Sequence, residues 1–81
     1  MKYRYYFTKH VLSRMRLRLI TERQVVDCIE NPQVSQKEGA VQIAKKIQKD
    51  RRLLMVIYDH KTNNIVSIIT AIKTSKIHKY L

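Results

Sequence analysis

Leu53-Leu54-Met55-Val56-Ile57-Tyr58 (LLMVIY) is the longest uninterrupted apolar run of the chain, six residues bounded by polar segments. It is far too short to cross a bilayer. It has the length and character of a strand buried on both faces, as at the centre of a sheet. Downstream, Asp59 to Asn64 reads as a polar turn, and Ile65 to Ile72 as a second strand, mostly apolar and β-branched. Upstream, Lys49-Asp50-Arg51 reads as a turn. Before it Val41, Ile43, Lys45 and Ile47 alternate with Gln42, Ala44, Lys46 and Gln48, the period of a third strand. Lys37-Glu38-Gly39 supplies a further turn with the only glycine, and Gln33 to Gln36 is a short strand before it.

The N-terminal third has a different period. Tyr3, Tyr5 and Phe7 alternate with Lys2, Arg4 and Tyr6, which predicts a strand with an aromatic face toward the core and a basic face outward. Thr8 caps a helix whose apolar stripe is Val11, Leu12, Met15 and Leu19, ending near Leu19 or Ile20. Thr21-Glu22-Arg23-Gln24 reads as a capping box that opens a second helix. Val25, Val26 and Ile29 point inward there, with Cys28 at the edge of the arc, and Asn31-Pro32 stops the helix. The basic tail, Lys73 to Leu81, reads as irregular or as a last short strand. The expected architecture is one α+β domain over residues 1–81, in the order β-α-α-β-β-β. Two N-terminal helices pack on one face of a mostly antiparallel sheet of four or five strands.

Charge is segregated along the chain. The formal net charge is +11, and the six acidic residues all lie between Glu22 and Asp59. Both ends are therefore purely cationic, and if folding joins them they form one basic face, for which phosphate is the commonest partner. Cys28 is the only cysteine, so an internal disulfide is excluded, in keeping with a cytoplasmic setting. The N-terminus has no apolar stretch of the secretory kind. No Cys/His cluster suits zinc, no glycine-rich phosphate loop exists, and Asp27 and Glu30 lack a second carboxylate pair. Neither a metal nor another cofactor is expected.

His10, Arg14 and Arg18 recur every four residues and form one polar stripe on the first helix. Guanidinium groups offer phosphate a planar fork of donors, and neutral imidazole accepts a proton near neutral pH. The plain alternative is a solvated helix face. Arg51 and Arg52 either reach across the sheet toward phosphate or sit in water as turn residues. The tail places Lys73, Lys76, His78, Lys79 and Tyr80 together, cations with an aromatic that suit nucleic acid. Equally, Tyr80 and Leu81 tuck against the sheet. Arg4 and Tyr6, on the outer face of the first strand, are further contact candidates.

These pieces add up to a resemblance. Phe7-Thr8-Lys9-His10 followed by Arg14-Met15, then Ile20-Thr21-Glu22-Arg23-Gln24-Val25, Asn31-Pro32, Leu54-Met55-Val56-Ile57-Tyr58 and Ile68 to Lys76 resemble, in order, the motifs of a small domain family. That family looks related to the RelE/ParE-like toxins, in a BrnT-like branch. The resemblance implies the same helix pair on an antiparallel sheet. It also implies a metal-independent endoribonuclease acting on RNA, often on the ribosome, restrained by an acidic antitoxin protein. On that reading the 2′-hydroxyl attacks the adjacent phosphate. His10 is the base, Arg14 and Arg52 hold the phosphate, and Lys76 supports the leaving side. Tyr80 or His78 gives a proton or stacks a base. Arg4, Tyr6, Arg18, Lys73, His78 and Lys79 would contact nucleic acid. His10 and Arg14 match the motif directly, whereas Arg52, Lys76 and Tyr80 match it more loosely. A non-catalytic nucleic-acid-binding module, and a ParE-like toxin with a protein target, are the alternatives. No membrane partner is implied.

Overall fold

The computed structural model describes residues 3–62 and 64–81. The elements run β1 (Arg4–Tyr6), α1 (Lys9–Leu17), α2 (Glu22–Glu30), β2 (Val34–Glu38), β3 (Val41–Ile47), β4 (Leu53–Thr62), β5 (Ile65–Thr74) and α3 (Ile77–Tyr80). The five strands form one sheet in the order β1-β5-β4-β3-β2. Every pairing is antiparallel except that of β1 with β5, which is parallel and spans only Ile65–Ser67 of the longer strand. LLMVIY opens the central strand, as its composition requires.

Both helices lie on one face. Val11 and Met15 of α1, Ile20, and Val25, Cys28 and Ile29 of α2 close over Ala44, Leu54, Val56, Tyr58, Val66, Ile68 and Ala71. Each Val, Leu, Ile or Met side chain among them contributes about 1.5–3 kcal/mol when fully removed from water, so this layer is a main source of the folding free energy. Among the described residues no polar or charged residue is buried as a whole. Thr8 accepts from the Val11 N–H, and Thr21 and Gln24 exchange both hydrogen bonds of the capping box.

Several expectations change. The turn reading of Asp59 to Asn64 gives way to strand, since β4 continues through Thr62; Asn63 in that stretch, and Lys2 in the first strand, lie outside the described residues. The glycine turn narrows to Gly39-Ala40, with Gly39 at φ +61°, because β2 runs to Glu38. β1 is three residues long; Tyr5 and Phe7 pack on the core, but Tyr3 is 42% exposed and meets His60 edge-on. LLMVIY is not buried evenly. Leu54, Val56 and Tyr58 face the helices, while Met55 and Ile57 are half-buried on the side the helix pair leaves open. Cys28 sits at the centre of the α2 arc with no exposure, its thiol directed at the carbonyls of Ala44 and Leu54. The tail is a short helix, not a strand.

The largest departure is Leu19. It was expected to extend the α1 stripe, yet it is 81% exposed. The helix has already ended: the Ile20 N–H donates to the Met15 carbonyl (2.8 Å) and the Leu19 N–H to that of Arg16 (3.2 Å). This is a Schellman closure, with Met15 and Ile20 as its buried apolar pair. The closure demands a left-handed residue where glycine is usual, and Leu19 occupies it at φ 57°. Leu19→Gly is therefore expected to stabilise the domain by about 1 kcal/mol, a rise of roughly 4–8 °C in Tm. Thermal unfolding followed by circular dichroism checks this; an unchanged or lower Tm contradicts it.

Candidate functional site

The site follows from how little of β5 its neighbour covers. β1 pairs with the first residues of β5 and then leaves at Phe7 to start α1. From Ile68 onward the outer edge of β5 has no strand partner among the described residues, and α1 lies along it. Arg18 donates from Nη1 to the Ala71 carbonyl at 3.0 Å, so the end of α1 is stitched to that edge. Midway along β5 the pairing register with β4 shifts: Ile57 opposes Thr70 while Tyr58 opposes Ile68, which leaves Ile69 as the extra residue of a bulge. Ile69 is 44% exposed.

A cleft of about 140 Å³ opens between α1 and this bulge, lined by His10, Val11, Arg14, Ile69, Thr70 and Ala71. His10 and Arg14 thus converge on one recess, as their four-residue spacing implied. His10 lies in the first turn of α1, a turn with no acidic residue, where the helix dipole favours an anion. Among the described residues the ion pairs are Lys46–Asp27, Lys61–Asp59 and Lys73–Asp50, and none involves an α1 arginine. Small-molecule pockets usually measure about 300–1,000 Å³, so the cleft suits a group of phosphate size. A larger groove of about 480 Å³ runs between α2 and the β3–β4 turn. Asp27 and Asp50 line it beside Arg23 and Lys49, and that mixture does not favour a polyanion.

The other residues singled out in the sequence lie elsewhere. The two termini do not meet: Arg4 pairs with Ile65 at the start of β5, whereas the tail follows Thr74 at its end. Lys45 shares a register line with Met55 and Ile72, on the face away from the helices, and its ammonium donates to the Tyr80 carbonyl at 2.6 Å. The sheet therefore stands between Tyr80 and His10. Lys76, His78, Lys79 and Tyr80 are absent from the cleft lining, and Lys79 sits over the Tyr80 ring at 5.6 Å. Arg4 and Tyr6 are exposed on the open face. Arg52 is exposed at the β3–β4 turn, its backbone N–H donating to Asp50.

Two expected nucleic-acid contacts are engaged inside the fold. Arg18 holds Ala71, and the Lys73 side chain is 7% exposed against Asp50. Lys73 falls on the helix-facing register line with Leu54, which is why its stem is covered. Sequence reasoning missed Thr70 and the bulge at Ile69; no glycine or proline marks that irregularity in a mostly β-branched strand.

Four titratable groups outside the cleft are tied into the fold. Burial pushes the Cys28 thiol up to about 12, so it is a poor nucleophile near neutrality. Burial and the bond from its hydroxyl to Glu30 (2.9 Å) keep Tyr5 protonated well above its ordinary range. Asp27 is held below the usual carboxylate range, first by the hydrogen bond from Lys46 and then by that from Asn31. Asp50 is lowered by the Arg52 backbone N–H and then by Lys73.

Residues 7–73 match the model of a domain of unknown function, DUF4258, and the chain belongs to that family. No curated protein and no solved structure matches it. Among the described residues no helix is long and apolar enough to cross a membrane.

The two depressed aspartates contribute to the acid limb of stability. Folding lowers their pKa, so their contribution is in place above the ordinary aspartate range and is lost as pH falls through the folded values. Urea denaturation between about pH 5 and 2 is expected to show stability falling below about pH 4. Asp27→Asn is expected to flatten part of that fall; an identical slope in the variant contradicts the assignment.

Proposed function

We propose that this is a cytoplasmic RNA-binding protein of the RelE/ParE-like kind, and that the cleft at the β5 bulge is a metal-independent endoribonuclease site. The observation that carries the reading is the convergence of His10 and Arg14 on one phosphate-sized recess at the start of a helix. The net charge of +11 and the helix pair on a mostly antiparallel sheet support it.

In this reaction the 2′-oxygen of RNA attacks the adjacent phosphorus while its proton passes to His10. Arg14, assisted by the helix N-terminus, carries the charge that builds on the phosphoryl oxygens. The phosphorus–5′-oxygen bond breaks, and the departing oxygen takes a proton from water. The products are a 2′,3′-cyclic phosphate and a free 5′-hydroxyl, and DNA is inert because it lacks the nucleophile. Lys76, His78 and Tyr80 do not share the recess, so the acid role first given to the tail falls to solvent. Lys79 and the open-face residues Arg4 and Tyr6 remain as contacts for flanking nucleotides.

One observation favours a second reading, in which the cleft grips RNA without cutting it: His10 is the only imidazole among the lining residues and no carboxylate stands beside it. The two readings separate in one experiment. Purified protein is incubated with RNA and with isolated ribosomes in EDTA. Cleavage is expected, and His10→Ala is expected to reduce it by at least about 100-fold with RNA affinity kept within about twofold. Arg14→Ala is expected to weaken binding and to lower the salt slope by about one. Binding without cleavage by the folded wild type selects the second reading; failure to bind RNA removes both.

A further inference from the structure

The groove between α2 and the β3–β4 turn, about 480 Å³, falls within the usual size range of small-ligand sites and has no part in the proposed reaction. Its two walls carry the same three functions. Arg23, Gln24 and Asp27 stand on α2, and Lys49, Gln48 and Asp50 on the turn. Each wall thus offers one cation, one carboxamide and one carboxylate. Hydrogen bonds fix the wall on the turn. The Arg51 N–H donates to the Gln48 carbonyl at 3.0 Å, the Gln48 N–H to the Arg52 carbonyl at 2.8 Å, and the Arg52 N–H to the Asp50 carboxylate at 3.0 Å.

Bonds inside the fold leave a defined part of each group unused. Gln24 Oε1 accepts from the Thr21 N–H at 3.0 Å, so its amide nitrogen remains as a donor. Gln48 Nε2 donates to the Lys46 carbonyl at 3.2 Å, so its Oε1 remains as an acceptor. Lys46 and Lys73 share the helix-facing register line of Leu54 and reach the two aspartates from the sheet. They help hold both carboxylates ionised, yet the Asp27 and Asp50 side chains stay 46% and 48% exposed. Arg23 and Lys49 are exposed and stand outside the three ion pairs of the described residues. A nucleotide would set its phosphate against two carboxylates and meet no aromatic ring among the lining residues. A zwitterion that contains an amide matches all three functions. We infer that the groove binds a short zwitterionic peptide of dipeptide size. Its carboxylate lies at Arg23 and Lys49 and its ammonium at Asp27 and Asp50; its peptide carbonyl accepts from Gln24 and its peptide N–H donates to Gln48. None of these six residues lines the phosphate recess, and the inference stands without the nuclease reading.

The probe is alanyl-alanine, titrated into isotopically labelled protein and followed by NMR. The side-chain amides of Gln24 and Gln48 and the backbone of Asp27 and Lys49 are expected to shift first. Acetylating the peptide's amino group, or converting its carboxylate to an amide, is each expected to weaken binding about tenfold. Replacing the peptide N–H by an ester oxygen is expected to weaken it about threefold. Arg23→Gln combined with Lys49→Gln is expected to abolish the preference for the free carboxylate and to leave the preference for the free amino group in place. That retained preference shows the double variant to be folded. Adenosine monophosphate is the competing probe. Its tighter binding at the same residues, equal affinity for free and blocked peptides, or a silent groove at about 10 mM alanyl-alanine overturns the inference.

Discussion

The site depends on the mismatch between β1 and β5. A three-residue strand cannot cover a ten-residue one, and the polar edge left over must be satisfied by something else. Here α1 does it, with the Arg18 guanidinium meeting the Ala71 carbonyl. That one bond fixes where the end of α1 lies, and the four-residue spacing then carries Arg14 and His10 along the edge to the bulge. Ile69, the extra residue, bends the strand and opens the recess. The site is thus a by-product of how the fold disposes of an unpaired edge.

Charge and packing divide the molecule in a consistent way. At least four of the six carboxylates are committed to internal partners: Asp27 to Lys46, Glu30 to Tyr5, Asp50 to Lys73 and Asp59 to Lys61. The acids therefore neutralise cations along the strands and the second helix. The arginines of α1 keep an uncompensated field, and it is concentrated on the helix that lines the cleft. The basic tail belongs to a different surface. Its anchor at Lys45 lies on the open face of the sheet, so the cationic ends of the chain act as two patches and not as one cradle.

Much of this was legible from residue order. LLMVIY announces a central strand, Thr21 to Gln24 a helix start, Asn31-Pro32 a helix end and Gly39 a turn, because each is decided by local chemistry. The spacing of His10 and Arg14 likewise placed both on one line of the helix. What escaped is what distant residues decide. The parallel pairing of β1 with β5 has no local signal, and neither does the bulge. Arg18 and Lys73 read as free cations until their partners, a backbone carbonyl and an aspartate far along the chain, come into place. Leu19 fits the helical stripe by spacing, but closure of Ile20 onto Met15 ends the helix first.

The central claim is that polyanion recognition occurs at the α1–β5 cleft. Resonance-by-resonance titration with a short RNA, its 2′-hydroxyls methylated to prevent cleavage, tests it most directly. His10, Arg14 and the backbone of Ile69, Thr70 and Ala71 should respond at the lowest ligand concentrations. A response confined to the tail and to Arg4 and Tyr6, with those five positions silent, would place recognition on the open face and contradict the account.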